Sequence, residues 1–68
     1  MAGRKTSTKE RQNLATRVRA LRTKKQWSQK QMAENFGLTP GAIAHWELGS
    51  KYPSGPALKL LELYETLL

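Results

Sequence analysis

The sequence predicts an all-α chain folded as a compact four-helix bundle, and three observations carry that expectation. Apolar residues recur at helical spacing in each of four stretches. Helix-starting residues stand before each stretch, and glycine punctuates the ends of two of them. A chain of 68 residues buries only about 60 % of its unfolded surface, which allows one core made of short elements and leaves no room for a large catalytic cavity.

Taken in order, residues 1–7, MAGRKTS, mix glycine, hydroxyls and basic side chains with no apolar anchor. They read as a flexible basic arm, with residues 8–68 as the folded domain. Ser7 followed by Glu10 is a capping-box pattern, in which the two side chains satisfy amides that the first helical turn orphans. Leu14, Ala15, Val18 and Leu21 then make an i, i+4, i+7 stripe, giving a first helix to about Lys25. Arg11, Arg17, Arg19, Lys24 and Lys25 fall mostly off that stripe and are expected on solvated faces.

Ser28 with Gln31 repeats the capping box, and Met32, Ala33 and Phe36 form the inner ladder of a second helix. Phe36-Gly37-Leu38 breaks the ladder where a glycine can take positive φ. Thr39-Pro40 restarts it, with an N-cap hydroxyl and a proline at the first helical position, where no amide is needed. Ala42, Ile43 and Trp46 are the inner ladder of this third helix, which leaves Pro40, Gly41, Ala44 and His45 on its outer face. Gly49 is the expected C-cap, and Ser50-Lys51-Tyr52-Pro53 a loop.

Ser54-Gly55-Pro56 begins the last helix with a capping serine and an early proline. At about 100° per residue, Leu60, Leu61, Leu63, Tyr64, Leu67 and Leu68 cover an arc of roughly 160°, while Lys59, Glu62, Glu65 and Thr66 occupy the rest with Leu58 among them. One small core has little need of the whole arc. Its outer part, around Leu63, Leu67 and Leu68, is therefore expected to pair with a second copy of the chain as a homodimer.

Charge and composition narrow the partners. Residues 1–25 carry nine basic side chains against Glu10, a balance of +8, whereas residues 26–68 carry three against four acidic ones, a balance of −1. A positive field gathered in one third of a chain suits a polyanion, and nucleic acid is the natural one. There is no cysteine, and a single histidine, His45, has too few companions to hold a metal, so no cofactor is expected. No run approaches the roughly 18 apolar residues of a membrane span and the N-terminus lacks an apolar signal core, which makes the cytoplasm the expected location.

The run Gln29, Ala33, Gly37, Thr39, Ile43, Trp46, Glu47 and Gly49 resembles the helix-turn-helix of lambda-repressor-like, Cro-type (XRE) DNA-binding proteins, over residues 14 to about 61. The resemblance implies that helices 2 and 3 form the helix-turn-helix and that Arg22 pairs with Glu47, tying helix 1 to the end of helix 3. It implies base contacts from Gln29, Pro40, Gly41, Ala44 and His45 in the major groove of duplex DNA. The set is chemically quiet: only His45 and Gln29 can make directional hydrogen bonds to bases, while Pro40 and Ala44 can meet a thymine methyl. DNA-backbone contacts are expected from Arg4, Lys5, Arg22, Ser28, Lys30, Thr39, Ser50, Lys51 and Tyr52. Two positions bear on the join after helix 1: Gln26 stands where the family commonly has glycine, and either tolerates a left-handed conformation or changes the turn, and Trp27 stands where the family is usually apolar, so a core role is expected.

The function implied is a sequence-specific regulator of transcription, a repressor that binds an inverted-repeat operator as a homodimer. PSGPALKLLELYE is also similar to the matching segment in antitoxin DNA-binding domains of the MqsA and HigA kind, so an antitoxin that neutralises a toxin partner and autoregulates its operon is the alternative. An RNA-binding module is a third reading. An enzyme is disfavoured by the lack of a carboxylate pair, a nucleophile-base set or a metal cluster in the sequence.

Overall fold

A computed structural model describes residues 7–67. Arg4, Lys5, Leu68 and most of the N-terminal arm lie outside the described residues. Four helices follow one another: α1 (Thr8–Lys25), α2 (Gln29–Phe36), α3 (Pro40–Leu48) and α4 (Gly55–Thr66). None is long and apolar enough to cross a membrane.

The local signals in the sequence act at the helix ends. Ser7 Oγ accepts the Glu10 amide at 3.1 Å while the Glu10 carboxylate accepts the Ser7 amide at 2.9 Å. Ser28 and Gln31 repeat the exchange at 3.0 and 2.8 Å. Thr39 caps α3 through Oγ1 on the Ala42 amide, with Pro40 in the first helical position. The three joins out of α1, α2 and α3 all turn through a left-handed residue: Gln26 at φ 58°, Gly37 at 69° and Gly49 at 75°. Gln26 therefore keeps the turn that glycine would make, at the expense of a strained backbone.

Ser54 departs from expectation. It holds the N-cap position of α4, but its side chain makes no capping hydrogen bond. The hydroxyls of Ser7, Ser28 and Thr39 each reach the amide of the third helical residue, and the Ser54 hydroxyl does not reach that of Ala57.

One core joins the four helices. Leu14, Val18 and Leu21 of α1, Met32, Ala33 and Phe36 of α2, Ile43 and Trp46 of α3, and Leu61 of α4 are buried together. α3 packs against both α1 and α2, and α4 closes on α1. Around this core runs a chain of aromatic rings. Trp27 meets Tyr64 edge-on at 5.4 Å, Tyr64 stacks on Phe36 at 5.4 Å, and Phe36 meets Trp46 edge-on at 5.9 Å. Trp27 thus packs against the core from its rim rather than filling it. Leu58, which the helical wheel of α4 places among polar residues, is also half-buried against the core.

Candidate nucleic-acid interface

α3 is held by its inner face and shows its outer one. Ile43 is fully buried and Trp46 and Glu47 nearly so, whereas Pro40, Gly41 and His45 are exposed and Ala44 half-buried. That division follows from the helical period: Ile43, Trp46 and Glu47 fall three and four residues apart, on one side.

Among the described residues Glu47 is the buried polar one, at 7 % exposure, and its carboxylate ties three helices together. Arg22 donates from Nε to Oε2 at 2.5 Å and from Nη2 to Oε1 at 3.4 Å. The Gln29 amide nitrogen donates to Oε1 at 2.9 Å. A buried carboxylate needs such donors, since its lone pairs have left water. Arg22 also donates from Nη1 to the Trp27 carbonyl at 3.2 Å, and Arg19 donates to the Glu47 carbonyl at 2.7 Å. α1, the start of α2 and the end of α3 are thereby joined through one side chain. Of the five N–H groups of a guanidinium, Arg22 commits three to the fold and keeps two, one on each terminal nitrogen.

The contact of Gln29 with Glu47 orients its amide. The nitrogen faces the carboxylate, so the oxygen is turned from it. His45 is likewise engaged: its Nδ1 lies 2.9 Å from Ser50 Oγ, which places Nε2 on the opposite edge of the ring. Ser28 and Thr39 use their hydroxyl oxygens as cap acceptors and each keeps its proton to donate. Both are exposed, as are Lys30 and Lys51. Tyr52 is half-buried against the core.

The expectation that the basic residues of α1 stand on solvated faces holds for Arg19, Lys24 and Lys25, which are exposed, and is corrected for Arg11 and Arg17, which are half-buried. Arg17 makes a two-point ion pair with Glu65 of α4, Nε to Oε2 at 3.0 Å and Nη2 to Oε1 at 2.6 Å. That hydrogen bonding raises the Arg17 pKa above its ordinary value against the opposing effect of partial burial, so its charge is permanent and its place is structural. Arg19 serves α3, as above. Lys25 sits 5.9 Å from the ring centres of both Trp27 and Tyr64. Apart from Trp27, two residues from Lys25, these partners lie far off in sequence, and no local spacing announces them. Much of the basic cluster of α1 therefore braces the fold while still contributing its field.

On α4, Leu61 is fully buried, Leu60 and Tyr64 are half-buried, and Leu63 and Leu67 stand out at 51 % and 77 % exposure. Leu60, Leu63, Tyr64 and Leu67 line a shallow groove of about 290 Å³.

No curated protein and no solved structure matches the chain significantly. A family model described as helix-turn-helix matches residues 18–64, well over half of the chain, from the middle of α1 to near the end of α4. That span covers the buried ladder, the left-handed turn at Gly37 and the Arg22–Gln29–Glu47 hub described above. The chain belongs to the lambda-repressor-like, XRE-type helix-turn-helix family of DNA-binding transcription regulators.

Proposed function

We propose that the protein is a repressor that binds an inverted-repeat operator as a homodimer. The observation that carries this reading is the arrangement of α3, locked inward by Ile43, Trp46 and Glu47 and open outward at Pro40, Gly41, Ala44 and His45. Such a helix can lie in a major groove with its position set by the scaffold. His45 and the outward oxygen of Gln29 supply the hydrogen bonds to bases, and Pro40, Gly41 and Ala44 allow close apolar approach. Ser28, Thr39, Lys30, Lys51, Tyr52 and the two remaining N–H groups of Arg22 contact phosphates and set the register. Arg4 and Lys5 add phosphate contacts from the arm.

Dimerisation follows from a deficit. Two directional side chains read only a few base pairs, at about 1–3 kcal/mol each, which is short of what operator selection requires. Two copies paired through Leu63 and Leu67, with Leu68 beyond them, double the reading. The same exposed face of α4 supports the alternative, an antitoxin whose α4 meets a toxin.

Selection of bound duplexes from a random pool tests the proposal. The expected consensus is an inverted repeat with half-site centres about 10 base pairs apart. A single undivided half-site would remove the dimer, and displacement by RNA but not by duplex DNA would remove the reading altogether.

A further inference from the structure

Ser50 follows Gly49 at the end of α3, and its hydroxyl meets His45 twice. Oγ lies 3.2 Å from the His45 carbonyl oxygen and 2.9 Å from Nδ1 of the ring. A carbonyl oxygen only accepts, so the contact between the two oxygens takes the single proton of the hydroxyl. Toward Nδ1 the same Oγ has lone pairs alone, and a hydrogen bond there draws its proton from the ring. Nδ1 is therefore the protonated nitrogen. A neutral imidazole carries one hydrogen, so Nε2, on the edge turned from Ser50, keeps a bare lone pair. Both side chains are exposed, and what the pair fixes is the polarity of a ring on the outer face of α3.

We infer that Ser50 holds His45 as the Nδ1–H tautomer, so that α3 offers the groove a hydrogen-bond acceptor and selects a base with an amino group there, adenine or cytosine. The inference rests on the major-groove placement of α3 proposed above. In that groove adenine presents its N6 amino group and cytosine its N4 amino group, each a donor to Nε2. Guanine presents N7 and O6, and thymine O4 beside a methyl group, so each sets lone pairs against a lone pair. A histidine without such a neighbour can protonate either nitrogen to suit its partner and discriminates weakly. Ser50 becomes a positioning residue that acts through His45, in place of the phosphate contact expected from its loop.

His45 is the sole histidine of the chain, so its ring is readable without assignment. Long-range proton–nitrogen correlation on the 15N-labelled full chain, at alkaline pH above the imidazole titration range, should show Nδ1 protonated and Nε2 bare. Ser50→Ala should move both nitrogens toward the values of a ring exchanging between tautomers, and Ser50→Thr should restore them. A parent ring protonated at Nε2, or already exchanging, overturns the inference with no DNA present. The second arm is duplex selection at the same pH, which should yield one position in each half-site that His45→Ala and Ser50→Ala both relax, by about tenfold. Base analogues then identify the atom read. Purine in place of adenine, or a pyrimidinone lacking N4 in place of cytosine, removes the amino group alone and should cost the parent about tenfold while leaving His45→Ala unaffected. Loss on the deaza analogue of guanine instead, which lacks N7, would make the ring a donor and overturn the inference. Uniform weakening by Ser50→Ala across all sequences would make Ser50 a phosphate contact and overturn it too. Failure of the parent to select any duplex, with the Nδ1–H ring observed, would instead remove the function proposed above, and the base assignment with it.

Discussion

The buried Glu47 carboxylate sets up an asymmetric double-mutant cycle. In Arg22→Ala the carboxylate, 7 % exposed in the parent, keeps only the Gln29 amide for a side-chain donor, and the Nη1 bond to the Trp27 carbonyl disappears as well. In Glu47→Ala the stranded group is the guanidinium, whose side chain is 25 % exposed and can turn to water. Removing one partner of a buried pair costs about 3–5 kcal/mol when the other cannot escape, so Arg22→Ala belongs at about 3–4 kcal/mol and Glu47→Ala nearer 2 kcal/mol. The double change strands neither charge and should fall short of the sum by about 1–3 kcal/mol. A domain of this size has roughly 3–10 kcal/mol of stability in all, so Arg22→Ala can leave the chain partly unfolded in water. Urea unfolding followed by far-UV circular dichroism, with a stabilising osmolyte added equally to all four proteins, measures the cycle. Coupling indistinguishable from zero, or a larger loss from Glu47→Ala than from Arg22→Ala, would refute the reasoning, since the order depends only on which stranded group can reach water.

Three further outcomes are expected. Gln26→Gly should raise stability by about 1 kcal/mol, because Gln26 holds φ 58° where a side chain is strained; a thermal midpoint that stays level or falls would show that the strain is absent. Leu63→Glu with Leu67→Glu should leave helix content intact, since both side chains are exposed in the monomer, while weakening operator binding steeply in titration and shifting sedimentation toward the monomer; parental affinity would move the dimer contact to another face. Arg4→Gln with Lys5→Gln should make the slope of log K against log salt shallower by about 0.9 for each phosphate that the arm no longer neutralises, with the consensus retained; an unchanged slope would remove the arm from the interface, and a changed consensus would mean that it reads the minor groove.

The helices were legible in the chain because their determinants are local. Capping boxes at Ser7–Glu10 and Ser28–Gln31, the Thr39-Pro40 start and the glycines at 37 and 49 act within four residues of themselves, and the 3.6-residue period already separates Ile43 and Trp46 from Pro40 and His45. With the family resemblance, that was enough to anticipate the helix-turn-helix, the outward face of α3 and the Arg22–Glu47 pair. Tertiary structure decided where the polar groups are used, because a donor chooses among whatever acceptors folding brings near. It turned Arg17 toward Glu65, 48 positions away, and Arg19 toward the end of α3. It drew the Gln29 amide nitrogen onto Glu47. It also set the Ser50 hydroxyl against the ring of His45, at a join where sequence spacing identifies a turn but cannot say which edge of an imidazole the turn will cover.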